Sequence, residues 1–507
     1  MDAIILKSFI PEIFLSLAIL IQLVYNSRFI NILNFNSPLI DKEIFDQTFF
    51  ILFCVFFLFL NLKIESIVPN FLFLNDESNR VIKLLFIFSC LISSFVISKS
   101  FSLQKLNFFE FFSVLLLSIL SLLLLISSCD LLSTYLLIEM QALCFYILAS
   151  FRRSSAFSTE AGLKYFISGS FISGLFLLGA SLIYGCLGTL NFNHLSFLFS
   201  FSLNQELVSL KYFILLGILL VTIVLLFKIA SAPFHFWAPD VYEGSPLSST
   251  IIFSILPKLV IFSFFIKWIS IIGCFFTDLK DIFVFIGVLS VAVGTFFALK
   301  QKRMKRLVIY SSIAQIGFLV AALSCGSLDG FASIFFFLII YILSSVLIWN
   351  HITFYYEFEA YENDSIQPTS LFLTSLSNLV SMNRLWAFSF LVIFFSIAGI
   401  PPVSGFLAKI YVIYSLVDAD QLLGALFLIM VSAISVYYYL RVIKVIYFES
   451  KSVVPDSYKF KTVYATNLFS LNSILIALCL FLLVFFFFYP TSLLLICQYL
   501  VVNSFWF

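Results

Sequence analysis

Charged side chains are scarce in this chain. Lys, Arg, Asp and Glu make up 11% of its 507 residues, against about 25% in a soluble domain. With 62% apolar residues and a mean hydropathy of +1.13, that shortage excludes a soluble globular protein. The net charge is only +2, so no basic field marks a nucleic-acid partner. Nine cysteines are scattered singly through apolar runs, with no C-x-x-C pair and no histidine cluster nearby. They read as small buried hydrophobes rather than a disulfide framework or a metal site. P-loop, dinucleotide, metal-ligand and haem motifs are all missing. No cofactor is therefore expected in this chain, and its driving force must come from an ion gradient or a partner. No Arg/Ser-rich transit peptide precedes the first apolar run, so synthesis is expected in the compartment where the protein works.

What is present is a series of long apolar segments. Each is close to the ~20 residues that cross ~30 Å of hydrocarbon. Fourteen spans are predicted, at about 9–27, 46–64, 81–99, 107–128, 130–150, 163–187, 209–232, 246–270, 279–299, 304–325, 330–355, 385–417 (broken), 422–447 and 467–489. The fold class is an all-α polytopic membrane protein, read as one membrane domain over 1–507. The apolar tail after Pro490 is expected at the membrane interface or against a partner.

Positive charge sets the expected orientation. Loops or helix ends after the odd-numbered spans hold Arg28, Lys42, Lys99, Lys105, Arg152, Arg153, Lys164, Lys300, Lys302, Arg303, Lys305, Arg306, Arg384, Arg441, Lys444, Lys451, Lys459 and Lys461. The opposite side holds Lys7, Lys63, Arg80, Lys83, Lys211, Lys267 and Lys280. The positive-inside rule turns the first set toward the compartment of synthesis and both termini away from it. Two polar loops, 356–384 and 448–466, fall on the same side as the first set. The Lys300–Arg306 cluster reads as a topology anchor, with anionic phospholipid as its functional alternative.

Three lysines remain, and each lies inside a span: Lys228, Lys258 and Lys409. An ionised lysine at mid-bilayer costs about 2.5–3.5 kcal/mol on insertion scales, so such residues usually mark ion pathways. Lys228 precedes Pro233, which strips a helix of one hydrogen bond and frees carbonyls for water or side chains. A short polar turn, PDVYEG, follows, and Asp240 and Glu243 within it are expected to cap or bridge helix ends. Lys258 follows Pro257, far from either end of its span. Glu139 stands mid-span in the fifth segment, where a neighbouring lysine would hold it charged. The competing explanations are a fixed ion pair for Glu139 and snorkelling for the lysines. Phe227–Pro233 (FKIASAP) recurs as Phe395–Pro401 (FSIAGIP), 168 residues or five spans later. An odd shift inverts the second copy, and paired broken helices are a transporter signature. Pro401 and Pro402 mark the second break, Ser396 takes the place of Lys228, and Lys409 follows. His235 and His351 are candidate relay members, since imidazole both donates and accepts; packing is their plainer explanation. Ser311, Ser312 and Gln315 are candidates for support of ordered water.

These stretches resemble a known family. APFHFWAPDVYEGSP at 232–246, STEAGLKYFISGSFISGLFLLGASLIYG at 158–185 and IAGIPPVSGFLAKIYV at 397–412 resemble the antiporter-like membrane subunits of respiratory complex I, of the subunit 2 type and its mitochondrial form. The likeness covers nearly the whole chain and extends to multisubunit cation/proton antiporters. It implies two inverted five-helix repeats, spans 4–8 (107–270) and 9–13 (279–447), with spans 7 and 12 broken. Spans 1–3 (1–106) precede them, and a last span with its tail (467–507) follows. It implies a proton relay through Glu139, Lys228, Lys258 and Lys409 in the mitochondrial inner membrane, with basic loops in the matrix and both termini in the intermembrane space. NADH, FMN, iron–sulfur clusters and ubiquinone are then expected in other subunits, and neighbouring antiporter-like subunits and lipids as partners. Two rivals stand beside this reading. A stand-alone cation/proton antiporter would exchange ions when purified alone. A non-pumping scaffold would have a dry central axis.

Overall fold

The computed structural model describes residues 7–27, 38–62, 72–104, 110–201, 208–363, 371–449 and 471–504. Among the basic residues named above, Arg28, Lys63, Lys105, Lys451, Lys459 and Lys461 lie outside them, as does most of the loop 448–466. The apolar runs are helical because a backbone in hydrocarbon must satisfy its own hydrogen bonds. In chain order the helices are α1 (Ile10–Asn26), α2 (Pro38–Asn61), α3 (Glu77–Leu103), α4 (Glu110–Ser127), α5 (Leu131–Ala149), α6 (Ala156–Leu187), α7 (Phe192–Phe201), α8 (Val208–Lys228), α9 (Trp237–Gly244) and α10 (Leu247–Ile272). There follow α11 (Phe276–Lys300), α12 (Met304–Leu323), α13 (Leu328–Asn363), α14 (Leu379–Met382), α15 (Arg384–Ala398), α16 (Ser404–Asp418), α17 (Leu422–Phe448), α18 (Leu471–Phe488) and α19 (Pro490–Ser504).

Eleven helices among the described residues are long and apolar enough to cross a membrane. The count is twelve if Ser473–Phe488 and Pro490–Asn503, bent by 90° at their junction, form one span. Predicted spans 1 and 12 are occupied by shorter apolar helices, Ile10–Asn26 and Arg384–Ala398, the latter cut short by the break. The expected span 7 ends early: α8 stops at Lys228, five residues before Pro233, because the backbone already turns left-handed at Ala230. The expected span 11 overruns: α13 continues to Asn363, through part of the predicted loop. Its extension YYEFEAYEN contains no glycine or proline to stop a helix. The predicted connection after span 6 contains the short helix α7, and the tail begins a helix with Pro490 in its first turn, where proline is favoured.

The chain divides into two compact units, Met1–Phe283 with Gln498–Phe507, and Val284–Cys497. In the first, α10 is the hub, wholly buried along its apolar window and packed on α3, α4, α5, α7 and α8. Helices α6 and α8 approach closely where Gly179 meets Gly217: a Cβ on either would lie 2.9 Å from the other's carbonyl oxygen. The connections after predicted spans 2, 4 and 6 meet at one end, through Leu74 N–H to Ser127 O (2.7 Å), Cys129 N–H to Leu72 O (2.9 Å) and Leu131 N–H to Leu190 O (3.1 Å). These three connections thus share one end of this unit.

In the second unit α13 is the hub, packed on α12, α15, α16 and α18. Close approach of α11 to α12 uses Gly287, Gly294 and Gly317, where any Cβ would meet the facing backbone within 2.9 Å. The basic ends gather. Met304 N–H donates to Leu371 O (2.9 Å), Leu373 N–H to Lys302 O (3.0 Å), and the Arg441 guanidinium to Leu299 O (3.2 Å). The connections after predicted spans 9, 11 and 13 therefore share one end of this unit.

Candidate functional site

The two helix breaks are built alike. Ser231 N–H bonds to Leu226 O and Ala230 N–H to Phe227 O; Ile400 N–H bonds to Phe395 O and Gly399 N–H to Ser396 O. Each is a Schellman closure. Its left-handed position is held by Ala230 (φ 60°) in the first break and Gly399 (φ 80°) in the second. The cis bonds Ala232–Pro233 and Pro401–Pro402 stand at the same separation. The backbone equivalence is thus 169 residues, one more than the sequence motif implies. Lys228 corresponds to Ile397, and Pro233 to Pro402.

In the first unit, Lys228 is the last residue of α8 and 9% exposed. The span was expected to run on to 232 with Lys228 inside it; Lys228 stands instead at the carbonyl-rich end of the helix, which favours a cation. Glu139 acts on it electrostatically, and one Glu139 carboxylate oxygen is buried without a hydrogen-bond partner. Among the described residues no ion pair within 4 Å joins the two. Glu139 also acts on Tyr146, whose hydroxyl is buried, unpaired and pressed against Gly169, where a Cβ would lie 1.9 Å from it. Lys258 is 3% exposed, in the middle of α10. Pro233 and His235 lie in the turn between α8 and α9; the His235 ring lies 4.6 Å from that of Phe236, and its Nδ1 has no partner. Aromatic contacts hold this turn. Trp237 donates from Nε1 to Phe227 O (3.1 Å) and stacks on Tyr165 at 4.7 Å, while the Tyr242 hydroxyl donates to Phe253 O (3.1 Å). Asp240 bridges α9 to α6 through Lys164 at 3.2 Å, the bridging role expected of it.

In the second unit, Lys409 is 9% exposed, on α16. Its ammonium folds back to donate to Ala398 O at 2.6 Å, on the end of α15, and lies 5.5 Å from the Phe318 ring centre. Beside it is a cavity of about 10 Å³, lined by Gln315, Tyr341, Ser344, Ser396, Gly405 and Lys409 among others. That is roughly the room one water needs. The Ser396 hydroxyl, buried on this cavity, has no partner. Gln315 thus lines the same cavity as Lys409. Ser311 and Ser312 each donate to the carbonyl three residues back, at 2.7 and 2.8 Å; Ser311 also meets the Tyr439 hydroxyl. His351 lies away from the cavity, fully buried and bonded to Leu347 O and Ser389.

Sequence reasoning missed one buried charged pair. Lys83 was counted with the loops and helix ends opposite the main basic set, yet it is 1% exposed and bonds to Glu12 and to Asn75, each at 2.6 Å. Two charges just inside predicted spans 1 and 3 were the available signal. It also missed Ser389, whose pairing depends on the register between two helices.

Comparison with known proteins bears on this architecture. The family model described as "NADH:quinone oxidoreductase/Mrp antiporter, TM" matches residues 128–435. NADH-ubiquinone oxidoreductase chain 2 of Marchantia polymorpha is 34% identical over 489 residues, 96% of each chain. NADH-quinone oxidoreductase subunit N of Pelagibacter ubique is 36% identical over 358 residues, 69% of this chain and 73% of that one. A chain of respiratory complex I from Thermus thermophilus superposes with a TM-score of 0.74 at 25% identity, over 96% of this chain and 98% of that one. A chain of the Mrp complex from Dietzia sp. DQ12-45-1b shares the fold, with a TM-score of 0.79 at 17% identity, over 99% and 98%. The chain belongs to the NADH:quinone oxidoreductase/Mrp antiporter membrane family, in its chain 2 and subunit N branch.

Proposed function

We propose that this chain is a proton-translocating membrane-arm subunit of respiratory complex I, coupling electron transfer from NADH to ubiquinone to proton movement. It serves the enzyme as a subunit without a redox centre of its own; NADH, FMN, iron–sulfur clusters and ubiquinone belong to other subunits. Its neighbours are other membrane-arm subunits, antiporter-like ones among them, and phospholipid. It crosses the mitochondrial inner membrane fourteen times, as two inverted five-span repeats after three N-terminal spans, with the basic loops in the matrix.

One observation carries the reading: Lys228 at the end of α8, Lys258 in the middle of α10 and Lys409 on α16 are each exposed by 9% or less. Burial of this kind is costly for a charge, and loss of a proton removes that cost. Glu139 tunes Lys228. Each lysine takes up and releases a proton in turn, with Lys258 between Lys228 and the terminal carrier Lys409. Gln315 and Ser396 support a water at Lys409, and His235 stands at the first break. The test is Lys228→Ala or Glu139→Gln in the assembled enzyme, with NADH:quinone turnover and proton uptake measured in sealed membranes. Loss of both supports the relay; wild-type pumping with full assembly overturns it.

A further inference from the structure

Tyr146 carries a buried hydroxyl to which the relay gives no task. It is 8% exposed and shares α5 with Glu139. The two stand seven residues apart, which places them on one face of the helix with a rise of about 10 Å between their backbones. Long side chains on a helix lean toward its N-terminus, so the Tyr146 hydroxyl stands over the turn that leads back to Glu139. The Glu139 charge is felt at that hydroxyl, and at Tyr135 one turn to the other side. Yet the hydroxyl and one oxygen of the Glu139 carboxylate are each buried without a hydrogen-bond partner. A hydroxyl has a proton to give and a carboxylate oxygen only accepts, so the two are complementary. Buried polar groups in that condition are ordinarily met by water. A water that accepts from Tyr146 still has a hydrogen to donate to Glu139.

Packing, not bonding, holds the hydroxyl in place. Gly169 on α6 lies against it, and a Cβ there would strike the oxygen. Tyr165 meets the Tyr146 ring edge-on at 4.9 Å, and Phe166 does so at 5.6 Å. Tyr165 in turn stacks on Trp237 at 4.7 Å with planes 7° apart. Trp237 stacks on the Phe227 ring at 5.5 Å and donates to Phe227 O at 3.1 Å. Phe227 is the chain neighbour of Lys228, at the end of α8. A file of rings therefore runs from the hydroxyl over Glu139 to the helix end that carries Lys228. Tyr165, Trp237 and Phe227 are all buried. Displacement at either end bears on the next ring, because close-packed interiors transmit strain.

We propose that Tyr146 is the positioning residue for Glu139. Its hydroxyl, through ordered water, turns the charged carboxylate toward Lys228, and the file of rings keeps the two ends of that pair in step. The proposal rests on Glu139 tuning Lys228. Tyr146 neither gains nor loses a proton in this role. It sets how strongly the Glu139 charge is felt at Lys228. When the end of α8 moves, the rings carry the hydroxyl away from the water, the carboxylate loses its donor, and its hold on Lys228 weakens.

The test uses sealed vesicles bearing the assembled complex. One readout is NADH:quinone turnover per assembled complex. The other is the Glu139 carboxyl band in infrared difference spectra between resting and turning-over enzyme, identified as the band absent from Glu139→Gln. Tyr146→Phe keeps the ring and removes the hydroxyl. It is expected to slow coupled turnover at least threefold and to displace that band. In a Glu139→Gln background the same change is expected to alter the residual rate less than twofold, because both act through one contact. Gly169→Ala keeps the hydroxyl but pushes it aside, and is expected to displace the band as well. Where Tyr146→Phe fails to assemble, Gly169→Ala decides by that band. Adding Tyr146→Phe to Gly169→Ala restores turnover no further than the rate of Tyr146→Phe alone. An unmoved band, or an equal slowing in both Glu139 backgrounds, makes Tyr146 packing only and overturns the proposal. An impaired Glu139→Gln beside a normal Tyr146→Phe overturns the positioning alone. A normal Glu139→Gln overturns the tuning on which it rests.

Discussion

Replacing Gly399 with alanine separates the placement of the Lys409 ammonium from the mere presence of a lysine. Gly399 has φ 80°, and an added Cβ would lie 2.8 Å from Lys409 Cδ and 3.2 Å from both Cε and Nζ. A side chain in the left-handed region costs about 1–2 kcal/mol. The clash is with a flexible chain, so Lys409 yields and its bond to Ala398 O is lost. A hydrogen bond from a charged donor contributes about 1.5–3 kcal/mol. At about 1.4 kcal/mol per tenfold, the observed ammonium position becomes roughly 10- to 150-fold less populated. Gly399→Ala should therefore lower coupled NADH:quinone turnover about tenfold or more in membranes with normal amounts of assembled complex. In a Lys409→Ala background the same change should alter the residual rate less than about twofold, because the two changes act through one contact. A Gly399→Ala effect of equal size in both backgrounds would show that backbone strain alone is responsible. Wild-type turnover in the single variant would refute the placement argument outright.

Three further outcomes follow from close contacts and buried charge. Gly405→Ala puts a Cβ 1.8 Å from Ser396 O, a backbone atom that cannot step aside. Assembled complex should fall severalfold on native gels, and normal assembly would contradict the packing described. Glu12→Gln or Lys83→Met alone should destabilise by about 3–5 kcal/mol, the usual effect of leaving one buried charge unpaired, whereas the double change recovers most of it. Half-lives of thermal inactivation measure this, and additive losses would count against the pair. Gly169→Ala should displace the Tyr146 ring and slow turnover. Tyr146→Phe should relieve this in part, since the 1.9 Å clash is with the hydroxyl and a 2.8 Å clash with the ring carbon remains.

The helices were legible because hydrocarbon leaves the backbone one economical choice, and every predicted span is met by a helix among the described residues. Buried lysines were legible too, because charge inside a span is rare enough to stand out. The end of α8 was not. Pro233 drew attention to itself, but the helix stops at Lys228 through the left-handed Ala230, a conformation that composition gives no reason to expect of alanine. Lys83 was misplaced because a charge two residues inside a predicted span looks like a flank until its partner, 71 residues away, is known. His351 was visible in the sequence while Ser389 was one serine among many, distinguished only by the register of α13 against α15.

The two breaks meet one electrostatic problem with lysines from different places. A helix ending within hydrocarbon leaves its last carbonyls without intrahelical donors and carries partial negative charge there. In the first break the compensating lysine is the final residue of the ending helix, Lys228. In the second the equivalent position is Ile397, and Lys409 reaches back from the helix that follows to the carbonyl of Ala398. Against a cost of about 2.5–3.5 kcal/mol for a lysine at mid-bilayer, a helix C-terminus returns about 0.3–2 kcal/mol. Lys409 adds a charge-assisted bond of about 1.5–3 kcal/mol, which brings its ammonium close to balance. Lys228 has the field of Glu139 in place of such a bond. A lysine held near balance changes protonation state on a small disturbance. Moving Lys409 to the sequence-equivalent site, as Ser396→Lys with Lys409→Ala, should then fail to restore turnover. Position 396 lies two residues before the end of α15 and faces Gly405, where the helices are closest. Restored proton uptake in that double variant would show that a mid-membrane cation suffices wherever it is attached.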